Sequence, residues 1–379
     1  MATGTNAAFV LALQLLALVT LTPAEFGVFS IQYLLFAFAT SVCLSVICEP
    51  WLRSGFHEGS VSSWREYSSF LVYFSFTAGL GALVISAAIP ELRLVASGGA
   101  LAVAVGTYRA GARYHQVRMN LWRSVIWADA AGLAVTVAVW LVLSANRFGA
   151  LESIVIAWAA GAVASAIPKP WPRLQPPKSI PAWITQHGHH IKLLLRDSLL
   201  MDLGAIGTPF VVAPVLGISS FGIYRAVSNV AAPVRLVLNP LRPTLAVGSL
   251  ARHQAPRRVW ASFFASIGFG GAAYGALALV DAVNINLGSL SSLVPYSVPT
   301  AGFVAASFFG HYYYIIARVY LRGNPMLVGR IAQTALSIVA PLLGALIWGL
   351  SAAIWGFAVA TALSALTWFG LVIRTTHED

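Results

Sequence analysis

Charge is what this chain of 379 residues has least of: 9% of it is Asp, Glu, Lys or Arg, against about 25% in soluble domains. Acidic groups are scarcest, with 12 Asp and Glu beside 23 Lys and Arg. Glycan-polymerising membrane enzymes rely on acidic catalytic groups or a large external loop, and neither is visible. Cysteine is nearly absent. Cys43 and Cys48 lie in one apolar run and read as buried small side chains rather than a disulfide. No phosphate-binding loop ending in Gly-Lys-Ser/Thr, no HExxH and no GxSxG occurs. Gly268-Phe269-Gly270 sits inside an apolar run, so it is no dinucleotide turn. No loop has room for a soluble catalytic domain. The chain is therefore read as a non-enzyme, with no cofactor and no metal site. The first apolar run has no Lys or Arg before it, which makes it a poor signal peptide and a retained first helix.

What remains is apolar: 58% of the residues are hydrophobic. A spanning helix needs about 20 mostly apolar residues. Twelve runs meet that measure, roughly 6–21, 27–48, 67–89, 94–110, 121–144, 150–167, 197–216, 220–247, 258–280, 292–316, 325–348 and 350–373. The expected fold class is an all-α integral membrane protein of about twelve transmembrane helices.

The basic residues alternate between loops. One set carries Arg53 and Arg65; Arg113 and Arg118; Lys169, Arg173, Lys178 and Lys192; Arg252, Arg257 and Arg258; Arg318 and Arg322; and Arg374. The opposite set carries only Arg93 and Arg147. Positive charge marks the cytoplasmic side of a membrane protein. The expectation is a multi-pass protein of the cytoplasmic membrane with both termini inside. The net charge of +11 is explained by these loops, so nucleic acid is not an expected partner.

Between the sixth and seventh runs, Pro168-Lys169-Pro170-Trp171-Pro172 and Pro176-Pro177 form a stiff, extended connection. Ile180 to Leu195 then reads as a short amphipathic helix lying on the cytoplasmic surface. This places a six-helix lobe at 1–167, a linker with its amphipathic helix at 168–195, and a second six-helix lobe at 196–379.

The two halves echo one another. Leu21-Thr22-Pro23-Ala24-Glu25-Phe26-Gly27-Val28-Phe29 precedes the second run. Leu216-Gly217-Ile218-Ser219-Ser220-Phe221-Gly222-Ile223-Tyr224 precedes the eighth. Each is a short outer turn, then Phe-Gly-aliphatic-aromatic opening a long helix, and each helix ends in a Pro/Arg signal: Glu49-Pro50-Trp51-Leu52-Arg53 and Asn239-Pro240-Leu241-Arg242. Both copies run in the same sense, so the repeat is parallel, and such repeats place a substrate site between the halves. The opening Leu-Thr-Pro-Ala-Glu-Phe-Gly-Val-Phe-Ser, with the segment from Phe221 to Pro240, resembles the polysaccharide-unit flippases. Their superfamily also holds the MATE drug exporters and the lipid II flippases. The resemblance implies two six-helix lobes, alternating access and transport of a lipid-linked glycan. It leaves the sugar open, and this chain ends after twelve helices where some relatives have more.

Charges inside apolar runs are costly and face protein or a wet cavity. Arg225 and Arg235 stand ten residues apart on the eighth run. On one straight helix that is about 15 Å along the axis and roughly 80° around it, so the two could line one cavity. A guanidinium holds phosphate oxygens in a bidentate fork. The alternative for Arg225 is snorkelling at the outer interface. Tyr224 joins the candidate binding set beside it. Asp202 either pairs with Arg235 or takes a proton or sodium ion. Asp129 has the same two readings, with Arg123 and Arg118 as its sequence neighbours. Glu49 and Arg53, with Arg242, are candidates for an inner gate or for helix-end caps. His187, His189 and His190 read as a polar face, with metal binding the sharper alternative. His311-Tyr312-Tyr313-Tyr314 reads as an interfacial aromatic belt, or as a stacking surface for sugar rings. Gly271 to Gly275 is a GxxxG match.

The function that fits is flipping of a pyrophosphate-linked oligosaccharide through a cationic cavity. Its partners are the lipid-linked glycan, membrane lipids, and glycosyltransferases or a polymerase of the same pathway. The alternatives are a proton- or sodium-coupled exporter of small organic molecules and a non-transporting scaffold for glycan enzymes.

Overall fold

The computed structural model describes residues 2–51, 63–168, 170–176, 179–235, 237–238, 250–321 and 324–375. Every regular element among them is helical. They are α1 (Ala2–Thr20), α2 (Pro23–Cys43, extended by a π turn over Leu44–Cys48), α3 (Trp64–Ala88), α4 (Ala96–Arg118), α5 (Trp122–Ala145) and α6 (Ala150–Ala166). The second half holds α7 (Ser179–Asp202), a π turn over Leu203–Gly207, α8 (Thr208–Leu216), α9 (Ile218–Val230), the short α10 (Leu250–Gln254), α11 (Pro256–Val283), α12 (Ser297–Tyr320) and α13 (Asn324–Arg374).

Seven stretches of these helices are long and apolar enough to cross a membrane, and the chain is an all-α membrane protein of the two-lobe, twelve-helix kind; the end of the expected span 220–247 lies outside the described residues. The last two spans are continuous in α13 except at Gly349, whose φ of 72° and ψ of −150° break the helix. That residue is the gap between the runs 325–348 and 350–373. At the other end of the chain, α2 begins in a reciprocal cap. The Thr22 amide donates to the Glu25 carboxylate (3.0 Å) and the Glu25 amide to the Thr22 hydroxyl (3.4 Å), with Pro23 in the first helical position. Proline belongs there because its missing N–H would have no partner anyway. Ser63 and Glu66 build the same box at the start of α3.

The chain divides into two compact units: Met1–Ala17 with Val28–Asp202, and Leu18–Gly27 with Leu203–Asp379. In the first, α6 is the central helix. Ten of its residues are buried, from Leu151 to Ser165, and most are small. Small side chains permit close helix approach: a Cβ on Gly161 would overlap the Thr136 hydroxyl of α5. In the second unit the part of α13 after Gly349 has a similar make-up, with Ala353, Ile354, Ala358, Ala360, Ala365, Trp368 and Val372 buried.

Two expectations are corrected here. Residues 180–195 are helical, as expected, but not as a separate helix. They are the first two-thirds of α7, which runs unbroken to Asp202. The apolar positions Trp183, Ile191 and Leu194 are buried; Trp183 packs with Tyr67 and Phe70 of α3 and with the core around Cys43 and Trp51. The Gly271–Gly275 pair, in turn, makes no close helix contact among the described residues. A Cβ at either position would meet open space.

The linker is fastened to α3. The Trp64 indole donates to the Trp171 carbonyl (2.8 Å), the Ser69 hydroxyl to the Arg173 carbonyl (2.9 Å) and the Tyr73 hydroxyl to the Gln175 carbonyl (2.7 Å). The Arg173 amide donates to Ser68 (3.1 Å) and the Gln175 amide to Ser69 (2.7 Å). Alternate linker residues face the helix, as an extended chain requires.

Candidate functional site

The candidate site is built where α9 begins. Leu216 ends α8, Gly217 turns the chain with φ 75°, and α9 starts at Ile218. Phe221, Gly222 and Tyr224 are buried, and α9 crosses the start of α2 so closely that a Cβ on Gly222 would overlap the Pro23 carbonyl. Tyr224 is 2% exposed. Its ring sits 5.2 Å from that of Phe357, which stacks on Phe303 at 4.3 Å. Its hydroxyl has no hydrogen-bond partner among the described residues. Arg225 follows it, half-buried, about 10 Å along the axis from the start of α9.

The straight-helix relation between Arg225 and Arg235 does not hold. The helix stops at Val230, Ala231 takes φ −84° and ψ −1°, and the Val234 amide bonds back to the Ala231 carbonyl (3.1 Å). A three-residue bond tightens the turn and resets the phase, so the 80° figure falls away. Arg235 lies past this break and is exposed. Arg53 and Arg242 lie outside the described residues.

Asp202 ends α7 and is 7% exposed. Hydroxyls hold it: Ser198 donates to it at 3.4 Å and bonds Ser41 of α2 at 2.7 Å. No ion pair involves it among the described residues.

Asp129 is the buried acid that does form ion pairs, and its partners are not Arg123 and Arg118. Arg109 Nη2 lies 3.0 Å from one carboxylate oxygen and Arg113 Nε 3.5 Å from the other. Both arginines come from α4, whereas the sequence reading had counted Arg113 among the loop charges. Arg109 also donates to the Gln116 side chain (2.6 Å) and to the Val125 carbonyl (3.4 Å), and Gln116 donates to Ser124 (3.3 Å). The group braces α4 against α5 through the Asp129 carboxylate, although the Nε of Arg109 and of Arg113 has no hydrogen-bond partner among the described residues. Arg118, the expected partner, instead lies over the Trp51 ring at 4.2 Å and donates to the Trp51 carbonyl at 3.0 Å. Glu49 is half-buried in the helical extension of α2.

The remaining candidates separate. His187 is buried against Trp183 with ring centres 4.4 Å apart, while His189 is exposed and His190 half-buried. Among the described residues no cluster of three potential metal ligands occurs. Tyr312 and Tyr313 are core residues, not an interfacial belt. Tyr313 is fully buried, bonded to Ser262 (3.3 Å) and packed on Phe309 and Phe369. Tyr314 meets Arg330 through its hydroxyl at 2.9 Å and through its ring face at 4.9 Å. Cys43 and Cys48 are free and buried.

No family model matches the chain, and no curated protein sequence does. Solved structures do match. The inward-facing conformation of a multidrug resistance MATE family transporter of the MOP superfamily aligns with a TM-score of 0.66 at 10% identity, covering 98% of this chain and 94% of that one. The eukaryotic MATE transporter AtDTX14 aligns with a TM-score of 0.58 at 13% identity, covering 99% and 94%. The lipid II flippase MurJ in its inward closed conformation aligns with 0.61 at 12% identity, covering 97% and 86%. The fold of this chain, over nearly its whole length, is the one shared by these MATE transporters and that lipid II flippase.

Proposed function

We propose that the chain is a membrane transporter that flips a lipid-linked, pyrophosphate-bearing glycan precursor by alternating access. The observation that carries the proposal is Arg225, a half-buried guanidinium within an apolar helix, with Arg235 exposed further along the same run. A guanidinium in an apolar run faces protein or a wet cavity, where an anionic head group can reach it. A pyrophosphate is the anion whose oxygens suit guanidinium geometry. The likeness to a lipid II flippase supports the same reading. In this proposal Arg225 and Arg235 hold the head group, Tyr224 belongs to the same binding set, and Glu49, Arg53 and Arg242 belong to the inner gate. The arginine-rich end faces the cytoplasm. The test is complementation of a glycan-export defect by Arg225→Ala and Arg235→Ala. Loss of export in both is expected, and full export in both removes the reading.

A second reading is supported by the equal likeness to MATE multidrug transporters. In it the chain is a proton- or sodium-coupled exporter of small organic molecules, with Asp202 as the ion-binding carboxylate. Asp202→Asn then abolishes transport while the arginine variants retain it. An arginine-lined path repels the cationic compounds such exporters often carry, which favours the first reading.

A further inference from the structure

One cavity in the second unit has no part in the site above. It holds about 470 Å³ and is lined by Val19, Thr20, Thr22, Pro23, Asn286, Gly288, Ser291 and Ser292. Its walls are the α1–α2 turn and the 3-10 segment Gly288–Tyr296. They are tied together by one carbonyl: the Ser289 amide (2.8 Å) and hydroxyl (2.9 Å) both donate to Leu21. The loop side is fixed as well. The Leu287 amide donates to the Ser291 hydroxyl (2.8 Å), which donates to the Ile285 carbonyl (3.1 Å). The Gly288 amide donates to the Asn286 carbonyl oxygen (3.1 Å). The pocket is thus preformed, and its volume lies within the 300 to 1,000 Å³ typical of small-molecule sites.

The chemistry of the lining is specific. No Lys or Arg contributes, and the charge beside it is the Glu25 carboxylate, which accepts from the Thr22 hydroxyl at 2.7 Å. An anion is disfavoured there. Two groups keep hydrogen-bonding capacity: among the described residues the Asn286 amide NH2 and the Ser292 hydroxyl bond no other group. They offer donors and acceptors together. Val19 and Pro23 add an apolar wall. A ligand with hydroxyls on its edge and C–H groups on its face matches all three properties.

We infer that this pocket binds an uncharged pyranose ring, the sugar end of the cargo rather than its phosphates. The inference rests on the glycan reading above, and it assigns sugar and pyrophosphate to separate sites. The pocket lies at the end opposite the arginine-rich loops, where a translocated glycan emerges.

The test uses the full-length protein in lipid nanodiscs and saturation-transfer NMR. The probes are methyl pyranosides of neutral hexoses and of N-acetylhexosamines, with inorganic pyrophosphate as competitor. At least one pyranoside is expected to bind, and pyrophosphate does not displace it. Asn286→Ala and Ser292→Leu weaken binding roughly tenfold each, the effect of one or two lost hydrogen bonds. Gly271→Ala, on an open helix face, leaves it unchanged. Asn286 is exposed, so its variant is a second probe should Ser292→Leu not fold. Absence of pyranoside binding overturns the inference; so do binding that both variants leave intact and displacement by pyrophosphate. Failure of the transport reading looks different: both arginine variants then export normally while pyranoside binding still depends on Asn286.

Discussion

Gly27 and Gly222 cross at their bare α-carbons. A Cβ on Gly27 would overlap the Ile218 carbonyl, and one on Gly222 would overlap the Pro23 carbonyl and come within 3.0 Å of the Gly27 amide nitrogen. Pro23 and Ile218 each stand four residues before the glycine of their own copy of the repeat. The two copies therefore meet through equivalent atoms, as in an isologous contact about a two-fold axis. The sequence echo and the contact are the same feature seen twice.

Alanine at Gly222 forces two helices apart. The expected cost is about 1–3 kcal/mol, the range for overpacking. It should appear as a lowered melting temperature of purified protein, with Gly271→Ala as the matched control. Equal melting of the two variants contradicts the close crossing.

Removing the acid of the α4–α5 brace should be more damaging. Asp129→Ala leaves Arg109 buried without its carboxylate, and breaking a buried pair on one side costs about 3–5 kcal/mol. Arg109→Leu in the same chain should recover much of that loss. A double-mutant cycle on thermal stability checks it, and strict additivity of the two losses would sink the pairing.

The linker clamp makes a prediction about proteolysis. With Ser68→Ala and Ser69→Ala together, linker bonds to Arg173 and Gln175 are lost. Each is worth about 1 kcal/mol, so opening becomes roughly tenfold more frequent or better. Trypsin cleavage after Arg173, followed by mass spectrometry, should accelerate accordingly, while cleavage at Arg374 stays constant.

Cys43 and Cys48 are fully buried, with Cys48 accepting from the Tyr67 hydroxyl at 3.2 Å. A buried thiol is inert. Maleimide should label neither in the folded protein and both in denaturant. Labelling of the native protein would refute this packing.

The spans were legible because a bilayer imposes a length on each apolar run, and the Gly349 join followed from the gap between two such runs. The Asp129 partners were also within reach. The α4–α5 connection centres near Asn120, whose φ is 56°. Counting nine residues either way sets Asp129 opposite residue 111, between Arg109 and Arg113. Antiparallel helices pair by distance from their turn, and sequence neighbours such as Arg123 do not qualify. The continuity of α7 was written in the spacing of Trp183, His187, Ile191, Leu194, Ser198 and Asp202, which holds one stripe from linker into span. The break at Ala231 was legible as well: Pro233 follows two residues later, has no N–H for the carbonyl four residues back, and crowds the turn before it. Composition does not separate Tyr313, which turns inward, from a residue of a lipid-facing belt.

Gly217 and Gly349 each reverse the chain in a single residue with φ above 70°. Joins that short present almost no epitope. Antibodies or inserted tags will find little to grip there, and selection for binders to the intact protein should return clones against the linker side instead.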